Sequence, residues 1–341
     1  MGIKNYARNV LNMLCGYYGY EIVESKKLYE WQKNAEIHLD TNSSSLPQNA
    51  AEYLNISNPR LKELQERYAV FNNDVTNPLW WNDTYVNPTN VLYFRGHTPY
   101  VWQKTKNNFN EMSFALTTYY IRSTDELSLM EKLEEDIYFG VNVFSANGKL
   151  VSRDLLDSIS QIYFLERHLG ISTRKNLSIL DIGAGYGRLA HRMISALPNM
   201  SEYICTDAYP ISTFVSEYYL KFRNLGDKGK VVPLDEIDIT LNDRSVDIAV
   251  NIHSFPECSI NAIAWWLSIL KKHCIKYLMI VPNYPVLKTM DGVDFTHIIE
   301  THGYRLIAKE PRYSDPIVQK HGLMPEYYYL FELGALKRVD G

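Results

Sequence analysis

Three closely spaced glycines follow an apolar segment near the middle of the chain, in the stretch LDIGAGYG at residues 180–187. Glycine lets the backbone turn tightly from a strand into a helix, and it leaves room for a ligand beside the main chain. The spacing D-x-G-x-G-x-G differs from the dinucleotide fingerprint G-x-G-x-x-G, because Arg188 stands where that fingerprint has its third glycine. The stretch therefore predicts a strand, a ligand-binding loop and a helix, around which the rest of the fold is built.

The acidic residue before the glycines indicates the ligand. A carboxylate at Asp181 would repel a diphosphate, whereas it suits the cationic amino-acid end of S-adenosylmethionine. The pattern resembles motif I of the class I methyltransferases. The segment EYICTD then ends at Asp207, about 20 residues beyond the last glycine, where Rossmann-type sites place a carboxylate for ribose hydroxyls. Its alternative role is the N-cap of the next helix. The residues expected to hold the cofactor are Asp181, Gly183, Ala184, Gly185, Gly187, Asp207, Ala208 and Asn251.

Apolar runs and helical patterns alternate from residue 151 to the C-terminus, which predicts an α/β fold with a largely parallel sheet. A strand is expected directly before the glycine loop, and further strands at 202–207, 230–234, 246–252, 275–281, 304–308 and 326–333. No helix is expected between the last two, which should form a closing hairpin. For a class I methyltransferase, this corresponds to a Rossmann-like seven-stranded sheet with an antiparallel last strand.

The N-terminal part lacks this rhythm. We expect residues 1–150 to form a mainly helical cap and substrate region, and residues 151–341 to form the methyltransferase domain, with helix running from about 128 to 169. The aromatic segments between residues 79 and 103 suit either a platform for a sugar ring or the cap's own core. On the first interpretation, the substrate-binding residues are Trp80, Trp81, Arg95, His97, Tyr100, Trp102 and Gln103.

Catalytic groups should follow the fourth core strand, because ligands bind at the carboxyl ends of strands in open α/β sheets. Methyl transfer to a hydroxyl requires alignment of the reacting atoms and removal of the hydroxyl proton. His253 is the predicted base, and Glu257 either orients it or acts instead. The rival residues for this role are His97, His297, Asp235 and Glu236.

Segments around Tyr93–Gln103, the glycine loop and Asn251–Cys258 together resemble a family of bacterial sugar O-methyltransferases, and the similarity runs from about Asn58 to the C-terminus. Cys258 stands where that family has Met. The resemblance implies S-adenosylmethionine as the cofactor and a hydroxyl of a sugar or glycosylated small molecule as the acceptor, in glycan or natural-product biosynthesis. A small-molecule N-methyltransferase and a non-catalytic S-adenosylmethionine-binding module are the alternatives.

The composition restricts the partners. The 341 residues carry a formal charge of −4, with a pI near 6.2, so no nucleic-acid backbone is expected. The D/N-P-P-Y/F motif of adenine and cytosine amino-methyltransferases does not follow the fourth strand. The segment Val281-Pro282-Asn283-Tyr284 has related letters but follows the fifth strand, where it could instead line the acceptor pocket. The four cysteines are scattered and no apolar run reaches membrane length, so we expect a cytoplasmic protein without a membrane span. No paired acids follow Asn251, and no metal is expected. A homo-oligomer is compatible with the sequence.

Overall fold

The computed structural model describes residues 45–71, 73–77, 79, 81, 91–96, 100, 108–146 and 148–334, together with residues 10, 11, 13–15, 17, 18, 38 and 39. Its N-terminal elements are, in chain order, strand β1 (His38–Leu39), helices α1 (Ala50–Tyr53), α2 (Pro59–Ala69), α3 (Asn73–Thr76), α4 (Asn108–Ser123) and α5 (Leu129–Lys132), and strands β2 (Val143–Ala146) and β3 (Lys149–Ser152). None of the described helices is both long and apolar enough to cross a membrane.

The second half alternates strands and helices. In chain order its elements are α6 (Arg153–Leu169), β4 (Leu177–Ile182), α7 (Arg188–Ala196), β5 (Met200–Thr206), α8 (Pro210–Phe222), β6 (Gly229–Val231), a 3-10 turn (Leu234–Glu236), α9 (Ile237–Asn242), β7 (Ile248–Ile252), α10 (Ser254–Glu257), α11 (Ile260–Lys272), β8 (Tyr277–Val281), α12 (Thr296–Thr301), β9 (Tyr304–Pro311), α13 (Pro316–His321) and β10 (Tyr327–Leu333).

Seven strands form one sheet in the order β6-β5-β4-β7-β8-β10-β9. The strands from β6 to β8 pair in parallel, and β10 pairs antiparallel with both β8 and β9. All six residues of β4 are buried, as expected for a parallel strand that is covered on both faces. The predicted Rossmann-like sheet with an antiparallel last strand is therefore confirmed.

The chain passes from β4 outward through β5 and β6, and then crosses to the other side of β4 to form β7. Ile182, the last residue of β4, pairs with Thr206 of β5 and with Asn251 of β7. Because the strand order reverses between β4 and β7, the segments that follow β4, β5 and β7 diverge there and leave a crevice. This crevice contains the candidate site.

Two local predictions are wrong. The expected helix from about 128 to 169 is interrupted by an antiparallel hairpin of β2 and β3, which turns at Gly148 with a φ of +75°. The last two strands pair antiparallel as predicted, but a helix that was not expected, α13, lies between them in the chain. Asp315 caps its first turn by accepting hydrogen bonds from the N–H groups of Ile317 and Val318. The N-terminal region is mainly helical as predicted, with a small sheet of β1, β2 and β3 in addition. The domain boundary at residue 150 stays a prediction.

Helix α2 packs on α8 and so attaches the N-terminal region to the main sheet. The hydroxyl of Tyr68 lies 2.9 Å from that of Thr213 and accepts the N–H of Leu234 at 2.8 Å. At the rim of this contact, Arg67 donates two hydrogen bonds of 2.8 Å to the Asp235 carboxylate.

A buried ionic network forms a second attachment. The fully buried Arg95 lies 2.6 Å from Glu135 and 3.2 Å from Asp154, and Arg192 of α7 lies 2.7 Å from the other oxygen of Glu135. Burial alone would raise the pKa of Glu135, but the charges of Arg192 and Arg95 hold that pKa well below its usual range. The predicted role of Arg95 in substrate binding is therefore wrong: its guanidinium is enclosed among carboxylates.

Replacing Arg95 should destabilise the fold. Arg95→Met would leave Glu135 and Asp154 buried with fewer counter-charges, so we expect a loss of about 3–5 kcal/mol in the free energy of unfolding, measured by urea denaturation. The control is Arg305→Met, because Arg305 is an exposed partner of Glu332 and its loss should have little effect. Equal, small losses in both variants would contradict the structural role of Arg95.

Candidate functional site

A cavity of about 510 Å³ lies at the carboxyl ends of β4, β5 and β7. Its volume falls within the range of small-molecule sites. The residues that line it are Trp81, Tyr100, Arg153, Asp181, Gly183, Ala184, Gly185, Tyr186, Arg188, Leu189, Asp207, Ala208, Tyr209, Ile252, His253, Ser254, Glu257, Cys258, Asn283, Tyr284, Met290 and Met324.

The glycine loop after β4 forms one wall. Gly183 has a φ of +73°, a conformation that side chains disfavour, and a β-carbon there would lie 2.3 Å from Cβ and Oγ of Ser254. Only glycine therefore allows the loop after β4 to approach the turn after β7. Gly187, predicted to bind the cofactor, instead packs against Ser216 and Leu220 of α8 and does not line the cavity.

Asp181 lies at the base of the cavity and is only 3% exposed. The hydroxyl of Tyr203 donates a hydrogen bond of 2.8 Å to its carboxylate. Burial raises the pKa of Asp181 to about 6, although this hydrogen bond and the charge of Arg188 act in the opposite direction. Arg188 and Arg153 line the same cavity, so its wall includes a buried acid and two arginine side chains.

Asp207 joins two loops through its carboxylate. One oxygen accepts the N–H of Gly185 at 3.0 Å, and the other accepts the N–H of Tyr209 at 2.8 Å. Burial raises the pKa of Asp207 to about 7 despite these hydrogen bonds. Asp207 is not the N-cap of α8, which is Tyr209. Each carboxylate oxygen can accept a further hydrogen bond, so Asp207 can hold the glycine loop and a ligand hydroxyl at once.

The turn after β7 is fixed by Asn251. Its amide donates to the carbonyl oxygen of Ile182 at 2.9 Å, and its side-chain oxygen accepts the N–H of Phe255 at 2.8 Å. Asn251 is fully buried and does not line the cavity, so the structure corrects its predicted contact with the cofactor. His253 lies between Asn251 and Phe255 in the chain, has a φ of +66° and lines the cavity.

Glu257 lies in the cavity wall, where its hydrogen-bond partners are groups other than the His253 ring. Its carboxylate accepts hydrogen bonds from the indole N–H of Trp81 at 2.5 Å and from the amide of Asn283 at 3.3 Å. Burial raises the pKa of Glu257. The carboxylate beside His253 is instead that of Glu326, with Oε1 2.9 Å from Nε2 of the ring. The prediction that Glu257 orients His253 is therefore corrected.

Aromatic rings form the wall opposite the strand ends. Trp81 packs against Tyr100 and Tyr209, with ring centroids 5.2 and 5.6 Å away. Two of the predicted substrate-binding residues, Trp81 and Tyr100, thus line the cavity. The other predicted residues of this group, apart from Arg95, lie outside the described part of the chain: Trp80, His97, Trp102 and Gln103.

The rival bases lie elsewhere, apart from His97, which is outside the described residues. His297 is exposed on α12. Asp235 and Glu236 form ion pairs with Arg67 outside the cavity. The described residues contain no cluster of three or more His, Cys, Asp or Glu side chains that could hold a metal ion.

Asn283 and Tyr284 follow β8 and line the cavity, in the segment that the sequence had indicated as a possible pocket wall. Other residues at the cavity were not predicted from sequence. Arg153 lies at the start of the helix that precedes β4, and only the tertiary structure brings it to the cavity. The same holds for Glu326, which follows β9 and α13 and contacts the cavity residue His253. Arg188 directly follows the glycine loop, and a positive charge at that position could have identified it from the sequence as a cavity residue.

Comparisons with known proteins give limited similarity. No family model matches the chain. The release factor glutamine methyltransferase of Flavobacterium psychrophilum is 29% identical over 114 residues, and the match spans 33% of this chain and 35% of that protein, about a third of its length.

The chain also resembles solved structures. A methyltransferase from Aquifex aeolicus is 17% identical, with 51% of this chain and 89% of that one covered and a TM-score of 0.38. A methyltransferase from Clostridium acetobutylicum is 13% identical, with 52% and 90% covered and a TM-score of 0.38. The mitomycin 7-O-methyltransferase MmcR is 16% identical, with 52% and 57% covered and a TM-score of 0.36. The function proposed below rests on the geometry of the site.

The close approach of Gly183 to Ser254 is testable. Gly183→Ala should lower the free energy of unfolding by more than the roughly 1 kcal/mol that a positive φ alone costs, because its β-carbon meets Ser254. Gly148→Ala is the matched control, since Gly148 has a φ of +75° and no atom within 4 Å of such a β-carbon. Adding Ser254→Gly should restore most of the loss, as measured by urea denaturation. A Gly183→Ala loss no larger than that of the control would refute the collision.

Proposed function

We propose that this chain is an S-adenosylmethionine-dependent O-methyltransferase that acts on a hydroxyl of a sugar or glycosylated small molecule. The observation that carries the proposal is the pair of carboxyl groups in the cavity, the buried Asp181 and the partly buried Asp207, at the ends of neighbouring strands. A dinucleotide site would place a pyrophosphate at this loop, next to the Asp181 carboxyl.

The residues present fit S-adenosylmethionine. Asp181 suits the ammonium group of the amino-acid end, and Arg188 and Arg153, which line the cavity near it, suit the carboxylate. Asp207 has acceptor capacity left for ribose hydroxyls beyond its two backbone hydrogen bonds. The aromatic ring of Tyr209 and the side chain of Leu189 provide apolar surface in the same cavity.

When bound, S-adenosylmethionine supplies a methyl group on a positively charged sulfur. The protein then has to align the acceptor oxygen and remove its proton. His253 lines the cavity at the end of β7 and is the proposed base. Glu257, held by Trp81 and Asn283, is placed to accept a hydrogen bond from another acceptor hydroxyl.

The saccharide acceptor is supported by the chemistry of the wall beyond the glycine loop. Trp81 offers an aromatic face flanked by Tyr100 and Tyr209, and Glu257 and Asn283 offer polar atoms next to it. A sugar ring has one apolar face and a rim of hydroxyls, so it matches such a combination. The resemblance of the glycine-loop and Asn251–Cys258 segments to sugar O-methyltransferases supports the same acceptor class.

Cofactor binding should depend on pH. A cationic ligand requires the ionised carboxylates, and the raised pKa values of Asp207, about 7, and Asp181, about 6, leave both largely protonated at pH 5.5. Calorimetric titration should therefore show binding roughly tenfold or more tighter at pH 7.5 than at pH 5.5, with protons released on binding. NADH should not bind.

The control for this titration is Asp243→Asn, which changes an exposed acid after α9 and should leave the pH profile unaltered. Asp207→Ala should weaken binding by roughly 1–3 kcal/mol. NADH binding, or no binding of S-adenosylmethionine at any pH, would refute the cofactor assignment.

Loss of the proposed base should affect turnover and not cofactor binding. His253→Ala should lower the rate of methyl transfer by roughly 10²–10⁴ while the affinity for S-adenosylmethionine stays nearly constant. The rate is measured as transfer of a labelled methyl group to methyl glycosides and nucleotide sugars that the unaltered protein accepts. His297→Ala, on the exposed face of α12, is the matched control. Near-normal turnover in His253→Ala would assign the base elsewhere, and turnover with amines alone would favour an N-methyltransferase.

A further inference from the structure

A buried carboxylate lies beside the ring of His253. Oε1 of Glu326 is 2.9 Å from Nε2 of His253, and the Glu326 side chain is only 4% exposed. Within the described residues, neither oxygen of that carboxylate nor the ring Nε2 has a hydrogen-bond partner, so this close approach lacks the alignment of a hydrogen bond. A small rotation of the ring would align its N–H with the carboxylate, and catalytic hydrogen bonds are often poorly aligned before the substrate binds. A buried carboxylate is costly unless a positive or N–H group faces it. The His253 ring is the group that meets this requirement at contact distance.

The backbone holds both partners in place. His253 follows β7, and its N–H donates to the carbonyl oxygen of Val281 in β8 at 2.8 Å. Glu326 precedes β10, and its carbonyl oxygen accepts the N–H of Arg312 at 2.9 Å. Since β10 pairs antiparallel with β8, the start of β10 is brought to the same edge of the sheet as the end of β8.

A second buried cation lies near Glu326 but has its own partner. The guanidinium of Arg312 is 2.7 Å from the carboxylate of Asp157, and both side chains are buried. Asp157 also receives a hydrogen bond of 3.0 Å from Arg153, a residue of the cavity wall. Arg312 therefore pairs with Asp157 and does not contact the Glu326 carboxylate.

We propose that Glu326 is a positioning residue that accepts the Nε2–H of His253 and thereby leaves Nδ1 as the nitrogen that receives the acceptor's proton. A base oriented by a third group is a recurring arrangement, since the hydrogen bond selects the tautomer of the ring. The inference rests on the proposed function. Glu326 thus takes the role of orienting His253 that the sequence had suggested for Glu257.

In the proposed step, the acceptor gains a methyl group and gives up one proton to His253. The acceptor oxygen forms a bond to the methyl carbon while its proton passes to Nδ1 of His253. The electron pair of the broken carbon–sulfur bond stays on the sulfur, which becomes neutral. The imidazole ring becomes positively charged, 2.9 Å from Glu326, and the nearby carboxylate stabilises that charge in a site with little water.

The test is ¹⁵N NMR of histidine-labelled protein in its free form, with the His253 signal assigned by its loss in His253→Asn. We expect His253 to be the Nε2–H tautomer, with an Nε2–H that exchanges slowly with water. Glu326→Gln should remove this tautomer preference or accelerate the exchange roughly tenfold or more, because a hydrogen bond to a charged acceptor is lost. A role for Glu326 in folding alone would not change the tautomer.

Glu332→Gln is the matched control, because Glu332 lies on the same strand, β10, and pairs with the exposed Arg305. Its His253 signal should match that of the unaltered protein. An Nδ1–H tautomer in the unaltered protein, or a tautomer and exchange rate that Glu326→Gln leaves unchanged, would overturn the proposal.

Calorimetric titration of the same variants with S-adenosylhomocysteine separates this inference from the proposed function. Glu326→Gln should bind it as the unaltered protein does, because Glu326 is not among the residues assigned to the cofactor. If the unaltered protein does not bind this product, the proposed function fails regardless of the NMR result. If it binds and the tautomer does not respond to Glu326→Gln, only the role of Glu326 fails.

Discussion

The structure depends on the Asp207 carboxylate, which accepts one backbone N–H from the loop after β4 and one from the loop after β5. These loops follow the neighbouring parallel strands β4 and β5. The carboxyl group joins them together with the hydrogen bonds that the N–H groups of Gly183 and Ala184 donate to the carbonyl oxygen of Thr206. Its pKa is raised because removal from water disfavours the charged form of the carboxyl group, although both backbone hydrogen bonds favour that form.

The turn after β7 extends this arrangement. Asn251 ties β7 to the last residue of β4, and the absence of a β-carbon at Gly183 lets Ser254 approach the glycine loop. As a result, the proposed base, His253, and the proposed cofactor loop share one cavity wall. The fully buried Arg95 network lies behind that wall, where Tyr186 of the glycine loop donates a hydrogen bond to Asp154, one of the carboxylates that surround Arg95. This hydrogen bond joins the glycine loop to the buried ionic groups, so we expect replacement of Arg95 to disturb the loop as well as the fold.

Sequence reasoning succeeded where the relevant signal was local. The glycine loop, the strand before Asp207 and the helix over Arg188–Ala196 follow from spacing and periodicity within one segment. The predictions failed where a role was assigned from residue type alone, without knowledge of the contacts of the side chain. Arg95 and Asn251 are polar residues in motif-like segments, and both were assigned to ligands, yet both are satisfied by buried protein partners. The helix that begins at Pro316, with Asp315 as its N-cap, was not predicted between the last two strands. Its six residues are too few for helical periodicity to be visible in the sequence.

By itself, the sequence determined the class of sheet, the position of the ligand loop and the acids on either side of it, because these depend on the order of segments and on glycines at fixed spacing. Only the tertiary structure decided which carboxylate faces His253. Glu257 is four residues away in the chain, but the short helix α10 directs it to Trp81 and Asn283. Glu326 is far away in the chain, but the antiparallel pairing of β10 with β8 brings it to the ring. Contacts of this kind depend on strand order and side-chain direction, which no single segment of the sequence contains.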